Sequence, residues 1–211
     1  IVNNYLSSKY NLNMNSNDYY AGDTPANNNF DLNVTGIGQL GGVKVNTSSS
    51  QGVLLEGGTG LNANGEFLLM GSDATVNGIS TSNLGATVQA RWNKTWYFDK
   101  TGNLDAKISF DLIEGIGGLY PAGDKNNYVL LRLNGGNYNI VPLNAADKAL
   151  LGSKVEFTVS NANLTDGFYT LGTTNSAQSP LDGQPNQTWY SYQTGNWNNP
   201  LTWTTDGSGL D

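Results

Sequence analysis

KISFDLI (107–113) and KVEFTVS (154–160) are the stretches on which the fold turns. In the first, Ile108, Phe110 and Leu112 alternate with Lys107, Ser109 and Asp111. In the second, Val155, Phe157 and Val159 alternate with Lys154, Glu156 and Thr158. A strand points successive side chains to opposite faces, so this period predicts strands with one face on a core and the other in water. Further runs of strand length are DLNVTGI (31–37), GVLLE (52–56), EFLLMG (66–71), VQARWNKTWYF (88–98), YVLLRL (128–133), NYNIV (137–141) and FYTLGT (168–173). Between runs stand Asn64-Gly65, Asn77-Gly78 and Asn134-Gly135, dipeptides that tolerate the positive φ of tight turns. The clearest hairpin is YVLLRL–NGG–NYNIV. In this part of the chain only NAADKALL (144–151) reads as helix, for about two turns. Short strands punctuated by turns predict an all-β fold, an antiparallel β-sandwich with short peripheral helices.

The flanks read differently. In residues 1–12, Ile1, Val2, Tyr5, Leu6 and Lys9/Tyr10 fall at helical spacing. So short a helix is marginal alone, and it is expected to be the last helix of a preceding domain. Residues 13–29 are polar and expected to be loop, and the sandwich is expected to span 13–175. From 176 to 188 the Ser, Pro, Gly and Gln content predicts a linker. Residues 189–211, with Trp189, Trp197 and Trp203, are expected to open a following β-module. A start at Ile1-Val2, without a signal peptide, suggests a processed product or an excised fragment.

Composition narrows the function. Charged residues make up 13% of the chain, against roughly 25% in ordinary soluble domains. Asn, at about thirty residues, fills much of the difference. Aromatics at 10%, with apolar residues in strand-length clusters, argue against disorder. Ten basic and 17 acidic residues give a net charge of -7. With no Lys/Arg cluster, nucleic acid and anionic membrane surfaces are not expected as partners. No apolar run reaches the roughly 18 residues of a spanning helix, so no membrane insertion is expected. Cysteine and histidine are both absent. That excludes disulfides, thiol chemistry, His-ligated metals and the Ser-His-Asp and Cys-His mechanisms.

Carboxylates are the remaining acid/base groups. Asp111 with Glu114, or Asp99 with Asp105, could supply the pair a glycosidase needs. Nothing in the spacing singles out either pair, so no catalytic residue is assigned. Three of the four Glu lie in strand-like runs and read as solvent-facing or edge residues. Calcium is possible in the loop carrying Asp111, Glu114, Asp124 and Asn126, or around Asp18, Asp23 and Asp31; neither follows the EF-hand pattern. Trp92, Trp96 and Phe98 share one face of their run and read as core, while Tyr97 points the other way. Trp189, Tyr192, Trp197 and Trp203 lie in a polar background and are candidate sugar-stacking residues. Burial against a neighbouring element competes with that role.

The order NNYLSSKYNLNM, NFDLNVTGIG, EFLLMG, ARWNKTWYFDKTGNLDAKISFDL, NYVLLRLNGGNY and GFYTLGTT resembles a β-rich module of giant Bacteroidetes surface proteins exported by the type IX secretion system. In that family the module follows a laminin-G/concanavalin-like domain. Val2, Tyr5, Leu6, Lys9 and Tyr10 match that domain's final helix, with Asn11 where Gly is usual. Arg91, Trp92 and Trp96 match the family's Arg-Trp strand, and YSYQTGNWNNPLTW looks like the opening of a second recurrent module. The resemblance implies an extracellular, outer-membrane-surface location. It also implies partners in the secretion machinery and in flanking domains of one polypeptide. The expected function is a non-catalytic structural or adhesive module. A carbohydrate-binding module is the alternative, and a glycoside-active enzyme a weaker one.

Overall fold

Each alternating run becomes a strand, and the strands sort into two packed sheets. The computed structural model describes residues 2–10, 12, 18–58, 60–116, 120–181, 190–191 and 203–204. The chain opens with α1 (Val2–Tyr10), β1 (Leu32–Leu40), β2 (Val43–Val45), β3 (Thr47–Ser50), β4 (Val53–Glu56) and β5 (Glu66–Ser72). There follow β6 (Ile79–Ser80), β7 (Ala90–Trp92), β8 (Trp96–Thr101), β9 (Ala106–Asp111) and α2 (Leu112–Ile116). The last elements are β10 (Tyr128–Asn134), β11 (Asn137–Ile140), β12 (Lys148–Leu151), β13 (Lys154–Val159), β14 (Gly167–Thr173), β15 (Tyr190–Ser191) and β16 (Trp203–Thr204).

The smaller sheet runs β12-β13-β9-β4-β3 and the larger β11-β10-β14-β8-β5-β1-β2, with β7 also beside β14 and β6 beside β7. All of these pairings are antiparallel. The fold is therefore a mostly β, sandwich-like arrangement, as the sequence predicts. Val53, Leu55, Ile108, Phe110, Val155 and Phe157 of the smaller sheet meet Leu68, Met70, Trp96, Phe98, Leu130 and Leu171 of the larger in one core. Full burial of such a side chain contributes roughly 1.5–3 kcal/mol. Trp92 and Trp96 meet edge to face at 5.2 Å, and Phe98 stacks on Tyr169 at 4.8 Å. Both Trp and Phe98 are core, as their shared face implies. The β10–β11 hairpin turns through Gly135 and Gly136, both at positive φ (62° and 87°), where a side chain would be strained.

The larger sheet is apolar on its outer face too. Val34, Phe67, Leu69 and Tyr97 are covered there by Tyr20 and Phe30, with Tyr5 of α1 packed alongside. Gly36 and Gly38 make room: a Cβ would fall 2.6 Å from the Leu69 side chain at the first and 2.2 Å from the Phe67 ring at the second. Beyond Phe168, Val129, Leu131 and Tyr138 form a second outer cluster with Val88, and Leu84 packs against it. The segment 13–29, expected to be loop, thus supplies the core aromatic Tyr20, and Phe30 follows directly after it. The helix that the sequence assigns to a preceding domain packs on this one. Asn4 Oδ1 accepts the Tyr19 amide at 2.7 Å, and the Ser8 hydroxyl donates to Asp23 at 2.6 Å.

The expected single strand at 88–98 is broken. Arg91 pairs with Gly172 and Trp96 with Tyr169, so residues 92–95 stand against only 170–171. Two extra residues form a bulge, which bends the strand and leaves backbone groups without ladder partners. The Thr170 hydroxyl lies 3.0 Å from the Trp92 carbonyl and 2.8 Å from that of Lys94. The loop 73–78 supplies the rest: the Asn93 amide donates to the Gly78 carbonyl, and the Trp92 indole N–H to Asn77 Oδ1.

Other expectations change. NAADKALL is not a two-turn helix: Ala145–Asp147 form one 3-10 turn and β12 pairs with β13. Four residues cannot repay helix nucleation, whereas the edge of β13 offers a ready ladder. Ser109 and Glu156 are buried, not water-facing, and Lys107 bridges to Glu156 at 3.0 Å. Glu66, also buried, accepts the backbone amides of Asn62 and Ala63, each at 2.7 Å. Past residue 175 the packed body continues to Leu181, which is fully buried in the main core. β15 and β16 pair only with each other among the described strands.

Thr170→Val removes the hydroxyl that closes the bulge while keeping its volume. The Trp92 carbonyl keeps its bond from Arg91, but leaving the Lys94 carbonyl without this donor costs about 1–3 kcal/mol, and the expected drop in Tm is roughly 3–10 °C. Thr170→Ser should stay close to the parent. Thermal unfolding followed by circular dichroism measures both.

Candidate binding groove

The bulge opens a groove on the outer face of the larger sheet, between its two aromatic covers. The cavity measures about 320 Å³. Phe30 and Phe168 line one side, Leu133 and Tyr138 the other. Asn28, Thr75, Asn93 and Thr95 supply neutral hydrogen-bonding groups, and Asp73 and Arg91 the charges. Asn28, at φ 62°, and Asn29, at φ 54°, occupy the left-handed region that Asn tolerates, and they turn the chain so that Phe30 enters the groove.

Several of these polar groups are also held by neighbours in the protein. Arg91 is 7% exposed and its guanidinium lies 4.3 Å over the Tyr138 ring, a cation–π geometry. Its Nε donates to the Ser82 carbonyl, and Nη1 to those of Trp92 and Asn93. Lys94, in the bulge, donates to the carbonyls of Asp73 and Thr75 at 3.2 and 3.0 Å. Burial lowers the pKa of both cations, because desolvation disfavours their charged forms. Asp73 accepts from the amide and hydroxyl of Thr75, and burial raises the pKa of the Tyr138 hydroxyl, which Thr95 hydrogen-bonds. Neutral donors and acceptors beside aromatic faces suit a polar ligand with an apolar flank, which describes a sugar ring.

A second cavity, of about 400 Å³, lies beside Asp18, Tyr19, Tyr20, Ala21 and Asp99. Burial pushes the Asp99 carboxyl up to about 6, against a stabilising bond from the Ala21 amide at 2.6 Å. Asp166, Asp18 and Asp23 push it the same way. Asp105, the partner that the sequence offers for Asp99, instead accepts the Asn161 amide at 2.6 Å.

The residues singled out in the sequence fall elsewhere. Trp189, Tyr192 and Trp197 lie outside the described residues. Trp203 belongs to β16, where it pairs with Ser191. The structure does not bring Asp111, Glu114 and Asp124 together as a calcium site. Asp111 Oδ1 accepts the amides of Ile113 and Glu114, and Asp124 that of Asn126; both carboxylates cap turns. Among the described residues no group of three or more acidic side chains is placed to hold a metal. Of the groove residues, only Arg91 is singled out individually in the sequence, although Phe30, Asn93, Thr95, Leu133, Tyr138 and Phe168 lie within quoted runs. Phe30, Tyr138 and Phe168 come from three distant segments.

Asp99 yields a pH prediction. Its folded pKa, about 6, exceeds the ordinary 3.8. The folded chain therefore holds this proton more tightly than the unfolded chain does. Stability from this group is greatest below about pH 4, declines as pH rises towards 6, and stays lower above, by at most about 3 kcal/mol. Asp99→Asn keeps an oxygen for the Ala21 amide and removes the charge. Melting curves should show it more stable than the parent at pH 7.5 by several degrees, with the gap closing at pH 4. Comparison of the chain with protein-family models, with curated proteins and with solved structures gives no match.

Proposed function

We propose that this chain is a non-catalytic adhesive module of a large exported bacterial cell-surface protein, and that it holds glycan in the groove on the outer face of its larger sheet. The observation that carries this reading is the groove lining: Phe30, Phe168 and Tyr138 beside Asn28, Thr75, Asn93 and Thr95. The ordered motifs that resemble the Bacteroidetes module support the exported, multidomain context. The absence of His and Cys, and carboxylates spent on turns and backbone amides, support binding over turnover. The same lining favours the runner-up, a carbohydrate-binding module that targets an attached enzyme to polysaccharide. The two differ in what the rest of the polypeptide does, which the full reading frame would decide.

A glycan array followed by affinity electrophoresis tests the groove. Selective retention by at least one polysaccharide is expected, with no hydrolysis products. Phe168→Ala should weaken it roughly 3–10-fold, the worth of one aromatic contact of about 0.5–1.5 kcal/mol. Retention unchanged in that variant would move the binding surface away from the groove. Hydrolysis abolished by Asp99→Asn would replace the adhesive reading with an enzymatic one.

A further inference from the structure

Arg91 has bonding capacity that the protein leaves unused. A guanidinium carries five N–H groups. Nε and Nη1 reach three backbone carbonyls; Nη2 has no protein partner among the described residues and is not one of their fully buried unpaired atoms, so it keeps solvent contact. No carboxylate forms a salt bridge with Arg91 there either, although the side chain is 93% buried by its 7% exposure. The nearest acidic wall residue, Asp73, already accepts from Thr75 with both oxygens. Lys94 adds a second cation in the adjoining bulge, held by carbonyls alone. Two cations against one carboxylate leave this part of the chain locally positive, although the whole carries -7.

We propose that the groove selects a saccharide bearing a carboxylate, a uronate unit, which Arg91 Nη2 binds while the ring rests against Phe168. The assignment rests on the glycan-binding reading above and narrows it to acidic polysaccharide. Charge complementarity carries it: the Nη2 group keeps an open N–H at the groove, no carboxylate pairs with the guanidinium among the described residues, and a ligand carboxylate would supply one through a charge-assisted bond. The chain's net charge opposes indiscriminate capture of polyanions, so retention of one must come from a local site.

Affinity electrophoresis of the intact chain in gels containing polygalacturonate, alginate, fully methyl-esterified polygalacturonate, a neutral galactan or polyglutamate separates the outcomes. Retention by polygalacturonate or alginate is expected, about tenfold stronger than by the methyl ester, which keeps the shape and lacks the charge. Arg91→Gln should erase the difference between acid and ester. The comparison on the unaltered chain needs no variant, so a misfolded Arg91→Gln leaves the answer intact. Equal retention by acid and ester, or retention by the galactan alone, overturns the uronate assignment and leaves the glycan reading standing. Equal retention by polyglutamate overturns the saccharide assignment in favour of an acidic peptide. Retention by none of these gels, with a neutral glycan selected on the array, overturns the uronate assignment alone; silence on the array as well overturns both.

Discussion

Strands β5, β8, β10 and β14 carry apolar side chains on both faces, so the larger sheet needs a partner on each side. The smaller sheet serves one face. The other is met piecemeal, by Tyr20, Phe30 and α1 at one end and by the segment around Val88 at the other. Cover supplied in two pieces leaves a seam, and the groove is that seam. An outer face with the usual polar alternation would have required neither cover, and no cleft would have formed between them.

The bulge at 92–95 fixes what the seam contains. Without the two extra residues Arg91 and Trp96 would belong to one continuous ladder, and neither the Lys94 ammonium nor the Asn93 amide would meet the loop 73–78. With them, that loop folds over the strand and delivers Asp73 and Thr75 to the rim. Thr170, from the neighbouring strand, holds the displaced carbonyls. One local irregularity therefore sets both the shape and the polarity of the site, in keeping with the frequent position of bulges beside functional clefts.

The core was legible in the sequence wherever one face of a strand was apolar and the other was not. Ile108, Phe110, Val155 and Phe157 advertise their burial by alternation alone, and Gly135-Gly136 marks its hairpin. The bulge left no such mark. VQARWNKTWYF is uniformly strand-like, and the two surplus residues are defined only by pairing with β14, more than seventy positions later. KALL reads as helix by propensity because nothing local reveals the waiting edge of β13. Ser109 and Glu156 follow the polar half of the pattern yet are buried, side by side across β9 and β13 with Lys107 bonded to Glu156. The groove was the least legible part. Phe30 sits in a run of Asn that looks like plain loop, and Tyr138 and Phe168 look like ordinary strand aromatics. Only the sheet order brings them together.

The way this chain anchors its cations bears on the medium in which it can work. Among the described residues Lys107 and Glu156 form the single ion pair. Arg91, Lys94 and Lys148 rest on backbone carbonyls, bonds of fixed geometry that dissolved ions do not loosen as they loosen exposed charge pairs. Cohesion of the body then rests on apolar burial and on amide and hydroxyl contacts, which concentrated salt leaves intact or strengthens. The scaffold should hold its shape equally in fresh water and in brine, with only its grip on a charged ligand varying between them.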